Sequence, residues 1–165
     1  MRALLTGTGA MADRLADILA AEGWALGPGA DVSLAVIVPP ADAGDWAEAL
    51  ESTLLAPLRQ MQALADAGRP AEVVLVLDHA AMVPGCVPAP RLAATAALLA
   101  AMKDAVLTHG PALRVNALAL GEGADPATSL RWLIGAGAVT GQIVAPGPAP
   151  RPLTLWRSPD VSPRG

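Results

Sequence analysis

Short apolar runs alternate along the chain with longer segments in which apolar positions recur every three or four residues. The runs "RALLT", "DVSLAVIVPP", "AEVVLVLDH" and "LRVNALAL" are nearly continuous rather than alternating, which predicts strands buried on both faces. A last strand is expected at "GQIVA". Between them, "MADRLADILAAEG" predicts a helix stopped by Gly23. "DWAEALESTLLAPLRQMQALADAG" predicts a long helix closing at Gly68, and "RLAATAALLAAMKDAVLTHG" another closing at Gly110. Pro57 lies inside the first of these, where its missing N–H predicts a kink or a lost backbone bond. A shorter helix is expected at "DPATSLRWLIGAG". Buried strands alternating with helices predict an α/β sandwich built on a mainly parallel sheet of about five to six strands. There is no internal repeat.

The length of 165 residues suits one domain with a substantial core, expected over residues 1–147. From Pro146 the chain is Pro-rich and loses periodicity, so residues 148–165 are expected to form an extended or mobile tail. Apolar residues make up 53% of the chain, yet no uninterrupted run reaches the roughly 20 residues of a membrane span, and no membrane association is expected. "MRALLTGTGA" turns to Thr and Gly too soon for a secretory signal. The formal charge of −4, with both signs scattered, offers no basic patch for nucleic acid. One cysteine, Cys86, excludes an internal disulfide and fits a reducing compartment. Two histidines and one cysteine at no ligand spacing leave no metal site. A cytoplasmic protein is expected.

The first strand runs into Gly7-Thr8-Gly9-Ala10-Met11-Ala12, a match to G-x-G-x-x-G/A. Between a strand and a helix, such glycines allow a tight turn and let a pyrophosphate approach the N–H groups at the helix start. Gly7, Gly9 and Ala12 are therefore candidate cofactor-binding residues. The second half of that fingerprint is an acidic residue about 20 positions on, at the end of a second strand. Here Gly23 is followed only by "WALGPGAD", too short for another βαβ unit. The loop reads either as a dinucleotide site or as a tight turn kept for packing.

Taken together, the segments resemble the short-chain dehydrogenase/reductase family over nearly the whole chain. "LLTGTGAMADRLADILAAEG" is similar to the family's glycine motif, one residue short, and "DWAEALESTLLAPLRQMQAL" to the helix that carries its asparagine. "AEVVLVLDHAAMVPG" resembles the strand ending in the catalytic serine, and "RLAATAALLAAMKDAV" the Tyr-x-x-x-Lys helix. "LRVNALALG" and "VTGQIVAPG" are similar to the strands that follow. The resemblance implies a Rossmann-like three-layer sandwich and NAD(P)-dependent redox chemistry. Carried over position by position, the asparagine falls on Thr53, the serine near Asp78 with one residue of slack towards Leu77 or His79, the tyrosine on Arg91 and the lysine on Thr95. The family reaction needs a phenol as proton donor and acceptor. Arg91 stays protonated, Thr95 carries no charge, and the chain contains no tyrosine at all. Two strands of the adenosine half and most of the substrate lid are also missing by this comparison. No catalytic set and no cofactor are expected, although Gly7, Gly9 and Ala12 leave NAD(P) binding open.

The shortened first half poses a topological problem. If the first helix keeps its usual sheet face while the next strand moves to the far side of strand one, the crossover becomes left-handed, which is rare. Either "WAL" persists as an edge segment or the helix lies elsewhere.

In the family the two long helices pack against a second subunit. That implies an interface through Leu50, Leu54, Leu58, Met61, Ala94, Leu98 and Met102, with Trp156 of the tail docking on a neighbour or on its own domain. Small residues at Ala93, Ala94, Ala97, Ala100 and Ala101 allow close helix approach, whether inside the domain or between subunits. Asp78 and His79 at a strand end suggest an acid/base pair, yet neighbours on a strand point to opposite faces. The sequence is read as a non-catalytic subunit, a pseudoenzyme with a structural or regulatory role, assembling with a full-length catalytic relative or with itself. The alternative is a small NAD(P)-binding oxidoreductase with borrowed or non-standard catalytic groups.

Overall fold

The apolar runs form the middle of a six-stranded parallel sheet in the computed structural model, which describes residues 1–29, 31–40, 45–121 and 123–146. Its strands are β1 (Arg2–Thr6), β2 (Ala25–Leu26), β3 (Val32–Ile37), β4 (Ala71–Asp78), β5 (Leu113–Leu120) and β6 (Ile143–Val144). They lie side by side in the order β2-β1-β3-β4-β5-β6, each pairing parallel to its neighbour. Four helical segments cover the sheet: α1 (Ala10–Ala21), α2 (residues 46–66), α3 (Ala89–His109) and α4 (Pro126–Gly135). The tail expected over 148–165, with Trp156, lies outside the described residues.

The absence of alternation in the strand sequences now has its cause. Leu34, Val36, Val74, Val76, Leu118 and Leu120 pack with Leu15 and Leu19 of α1 and Leu130 and Leu133 of α4. The intervening Ala35, Ile37, Val73, Leu75, Leu77, Val115 and Ala117 pack on the other face with Met61 of α2 and Leu98 and Met102 of α3. Successive side chains point to opposite faces, and both faces are covered, so nearly every central position is apolar, with Glu72, Arg114 and Asn116 the polar exceptions on β4 and β5. Each large side chain so buried contributes about 1.5–3 kcal/mol, which makes β4, buried from Ala71 to Leu77, the anchor of both cores.

The crossover problem is resolved by β2. Ala25 and Leu26 pair with Arg2 and Ala3 on the outer edge of β1, so α1 makes its connection to that side. Because β2 is only two residues long, its end is still at the amino edge of the sheet, and a short loop reaches β3 beyond β1. Arg2 pins that loop: its Nη1 donates to the Pro28 carbonyl at 3.1 Å and its Nε meets Asp31 Oδ1 at 2.9 Å.

Pro57 does not interrupt α2. The helix is α-helical at Trp46–Glu48, π-helical at Ala49–Leu55 and α-helical again at Ala56–Asp66. The Ala56 N–H bonds the Glu51 carbonyl, five residues back. Pro57 thus falls in the first turn of the renewed α-helix, where an N–H is not required.

The expected interface residues divide. Met61, Leu98 and Met102 are core residues of this chain, and Ala94 packs on Ala49 between α3 and α2. These four face inward because the apolar stripe of each helix is the one that covers the sheet, and they are corrected to core. Leu54 and Leu58 are partly buried against the same core, while Leu50 is 42% exposed. One described helix, α3, is long and apolar enough by length and composition to cross a membrane. It buries Ala94, Thr95, Leu98 and Met102 within the domain.

Candidate functional site

At the carboxyl edge of the sheet, β1 ends in a loop that the neighbouring strand shapes. The Val38 N–H bonds the Thr6 carbonyl at 2.8 Å, drawing the chain after β3 against Gly7. A Cβ on Gly7 would sit 2.6 Å from the Val38 oxygen, and its φ of +131° already excludes other residues. Gly7 is therefore required for packing. Gly9 (φ +87°) caps α1 without a side-chain bond, and nothing lies within 4 Å of where its Cβ would be. The approach to the first turn of α1 is open there, as a phosphate would need. Ala12 is buried against the core.

For a dinucleotide the fit is partial. Gly9 leaves backbone access for a pyrophosphate, but β2 stops at Leu26, both of its residues are exposed, and Gly27 follows. Among the described residues no acidic side chain stands at the end of β2 to hold a ribose.

Two of the four expected positions meet. Asp78 ends β4, and its Oδ1 accepts from the Ala80 N–H at 2.8 Å, capping a single 3₁₀ turn at His79–Met82. Arg91 enters from the first turns of α3, and its Nη2 meets Asp78 Oδ2 at 3.2 Å. Both line a crevice of about 600 Å³ with Met11, Val38, Leu120 and Gly121, beside the glycine loop. This crevice lies beyond the strand ends where α1 leads to one side of β1 and β3 lies on the other, the usual ligand position of open α/β sheets.

The other two positions lie apart from it. Thr53 is buried in the π-helical part of α2, its Oγ1 without a hydrogen-bond partner among the described residues. Thr95 is buried in α3. Neither lines the crevice. His79 opens the 3₁₀ turn, and its Nδ1 is buried with no hydrogen-bond partner among the described residues, so no bond joins it to Asp78 as an acid/base pair. Cys86 is partly buried in the following loop. Among the described residues no group of three or more His, Cys, Asp or Glu side chains is placed to hold a metal.

A second ion pair in the crevice escapes sequence reasoning. Arg14 of α1 lies 3.6 Å from Asp125, and both line the cavity. Asp125 also caps α4, accepting from Ala127 N–H at 3.1 Å, Thr128 N–H at 3.3 Å and Thr128 Oγ1 at 2.7 Å. Those bonds, the Thr128 hydroxyl first, hold its carboxyl below the ordinary aspartate value. The cap itself is legible in "DPATS", an Asp followed by Pro at the helix start; its meeting with Arg14 is not.

At the opposite edge, Glu72 and Arg114 are register partners on β4 and β5 and form a buried ion pair. Burial pushes the Glu72 carboxyl up, against the opposing charge and hydrogen bond of Arg114. Arg114 Nη1 also reaches the Ala136 carbonyl at 3.2 Å, tying the chain after α4 to the sheet.

No protein-family model and no curated protein sequence matches the chain. Solved structures do match it. FolM alternative dihydrofolate reductase 1 from Brucella canis, complexed with NADP, is 15% identical over 98% of this chain and 97% of its own, with a TM-score of 0.74. The 3-hydroxyacyl-CoA dehydrogenase type-2 from Mycobacterium avium is 14% identical over 91% of this chain and 95% of its own, with a TM-score of 0.71. The NADH-dependent enoyl-[acyl-carrier-protein] reductase from Aquifex aeolicus is 17% identical over 87% of this chain and 93% of its own, with a TM-score of 0.69. At these identities the likeness is one of fold.

Proposed function

We propose that this chain, which has the Rossmann-like fold of the short-chain dehydrogenase/reductase enzymes, is a non-catalytic subunit that assembles through α2 and α3 with a catalytic relative or with itself. The observation that carries this reading is the Asp78–Arg91 ion pair, at the positions matching the family's serine and tyrosine. A guanidinium does not give up its proton near neutral pH, so Arg91 has no means of relaying one to or from a substrate. Thr95, at the lysine position, is uncharged and buried.

Assembly is supported by what the two helices leave uncovered. Only 22% of the most apolar 18-residue window of α3 is buried. Ala93, Ala96, Ala97, Ala100 and Leu107 of α3 are exposed, as are Trp46, Leu50 and Leu55 of α2. Covering such a surface is favourable at about 25 cal/mol per Å² of apolar area. The test is native mass determination of the protein from its own cell, with NADH and NADPH turnover measured on the same sample. A defined oligomer in which this chain contributes no turnover is the expected result. A monomer, or turnover by the chain alone, defeats the reading.

The crevice beside Gly9 favours a second reading, a small NAD(P)-binding oxidoreductase using borrowed or non-standard groups. NADPH fluorescence titration separates the two: saturable binding abolished by a bulky side chain at Gly9 supports the second.

A further inference from the structure

We infer that the carboxyl-edge crevice binds a small ligand through a carboxylate or phosphate seated on Arg91, its apolar body lying against Met11, Val38 and Leu120. The inference deepens the non-catalytic reading of the same site and rests on it. Arg91 lines the crevice with its side chain only 11% exposed. A guanidinium that far from water needs a good acceptor, and the strong arrangement is a bidentate one.

Asp78 does not supply it. The contact to Arg91 is through one nitrogen at 3.2 Å, and the second carboxylate oxygen is committed to the Ala80 N–H. Asp78 is itself 44% exposed, so water competes for its charge. The other pair repeats the pattern. Arg14 is 3.6 Å from an Asp125 whose two oxygens accept three hydrogen bonds from the start of α4. Among the described residues lining the crevice, each carboxylate is therefore engaged by a turn or helix cap, and each arginine is incompletely matched. The cavity of about 600 Å³ is far larger than an inorganic anion, which is why the anion is assigned to a ligand with an apolar body. Oxygens of a carboxylate and of a phosphate monoester present the same acceptor geometry to a guanidinium.

The experiment is calorimetric titration of the full chain with benzoate and with phenyl phosphate, using inorganic phosphate and benzyl alcohol as controls for charge alone and body alone. One aromatic anion is expected to bind more tightly than either control, and the preferred one identifies the head group as carboxylate or phosphate. Arg91→Gln is expected to weaken it by about tenfold or more, the loss of a charge-assisted contact. Asp78→Asn keeps the 3₁₀ cap while removing the competing charge, and is expected to tighten binding; it guards against misfolding of the arginine variant. The inference is overturned if neither aromatic anion outbinds its controls, or if Arg91→Gln, folded by circular dichroism, binds as the parent does. Turnover of NADPH would defeat the non-catalytic reading without altering this binding result, so the two failures are distinguishable.

Discussion

Arg91 Nη2 reaches Asp78 Oδ2 at 3.2 Å, joining the start of α3 to the end of β4. Asp78 has a second task, the cap on Ala80, and the two contributions separate by substitution. Asp78→Ala removes both and is expected to destabilise by about 1–2 kcal/mol, most of it the cap. Asp78→Asn retains a side-chain oxygen for the Ala80 N–H and is expected to cost less than about 1 kcal/mol, the range of partly exposed ion pairs. Urea midpoints of the two variants check this; equal losses would assign the whole effect to the ion pair.

The glycine loop gives a sharper contrast. Gly7→Ala places a Cβ 2.6 Å from the Val38 oxygen and 2.7 Å from its Cβ, on a backbone at φ +131°. Strain and overpacking together predict a loss of about 2–5 kcal/mol. Gly9→Ala meets no atom within 4 Å and carries only the backbone penalty of φ +87° with ψ 178°, about 1–3 kcal/mol. Equilibrium unfolding should therefore rank Gly7→Ala well below Gly9→Ala, and the reverse order would contradict the packing role given to Gly7.

These residues also mark where sequence reading succeeds and where it stops. The strands were legible because burial on both faces leaves a continuous apolar run, as in "AEVVLVL". The helix ends at Gly23 and Gly68 were legible because both glycines adopt the positive φ that other residues resist. β2 was only one of two options, since two residues have no period and Ala25 and Leu26 are fixed by the edge of β1. The π-helical register of Ala49–Leu55 leaves no hydrophobic signature, so Pro57 alone predicted a kink. Met61, Leu98 and Met102 were expected at an interface with a second subunit and instead pack on the sheet of the same chain, because periodicity marks an apolar helix face without saying which surface covers it. In the site, Asp78 and Arg91 were found separately by resemblance. Their contact, and that of Arg14 with Asp125, depends on tertiary placement.

Assembly through α3 is expected to respond to charge on its outer face. Ala97 is exposed while its neighbour Leu98 is fully buried. Ala97→Arg should leave the circular dichroism spectrum and urea midpoint of the isolated chain within about 0.5 kcal/mol of the parent, as exposed helix positions do. If this face is covered in the oligomer, the same change buries an unpaired charge and native mass spectrometry should show dissociation. An oligomer that survives the substitution places its interface elsewhere.

The Glu72–Arg114 pair predicts a pH dependence with a definite sign. Burial raises the Glu72 carboxyl above its ordinary value of 4.5, outweighing the charge and hydrogen bond of Arg114. The folded state then holds its proton to higher pH than the unfolded state, so between the two values it binds more protons. Unfolding free energy consequently falls as pH rises from about 4.5 through the folded value, and the Glu72 contribution is greatest on the acid side. Glu72→Gln keeps an oxygen for Arg114 and removes the titration. Urea midpoints across this range should fall with pH in the parent relative to the variant, the two drawing apart as Glu72 ionises. A difference that stays constant would mean that Arg114 and desolvation cancel, and one that favours the parent at higher pH that Arg114 stabilises the buried carboxylate more than desolvation penalises it.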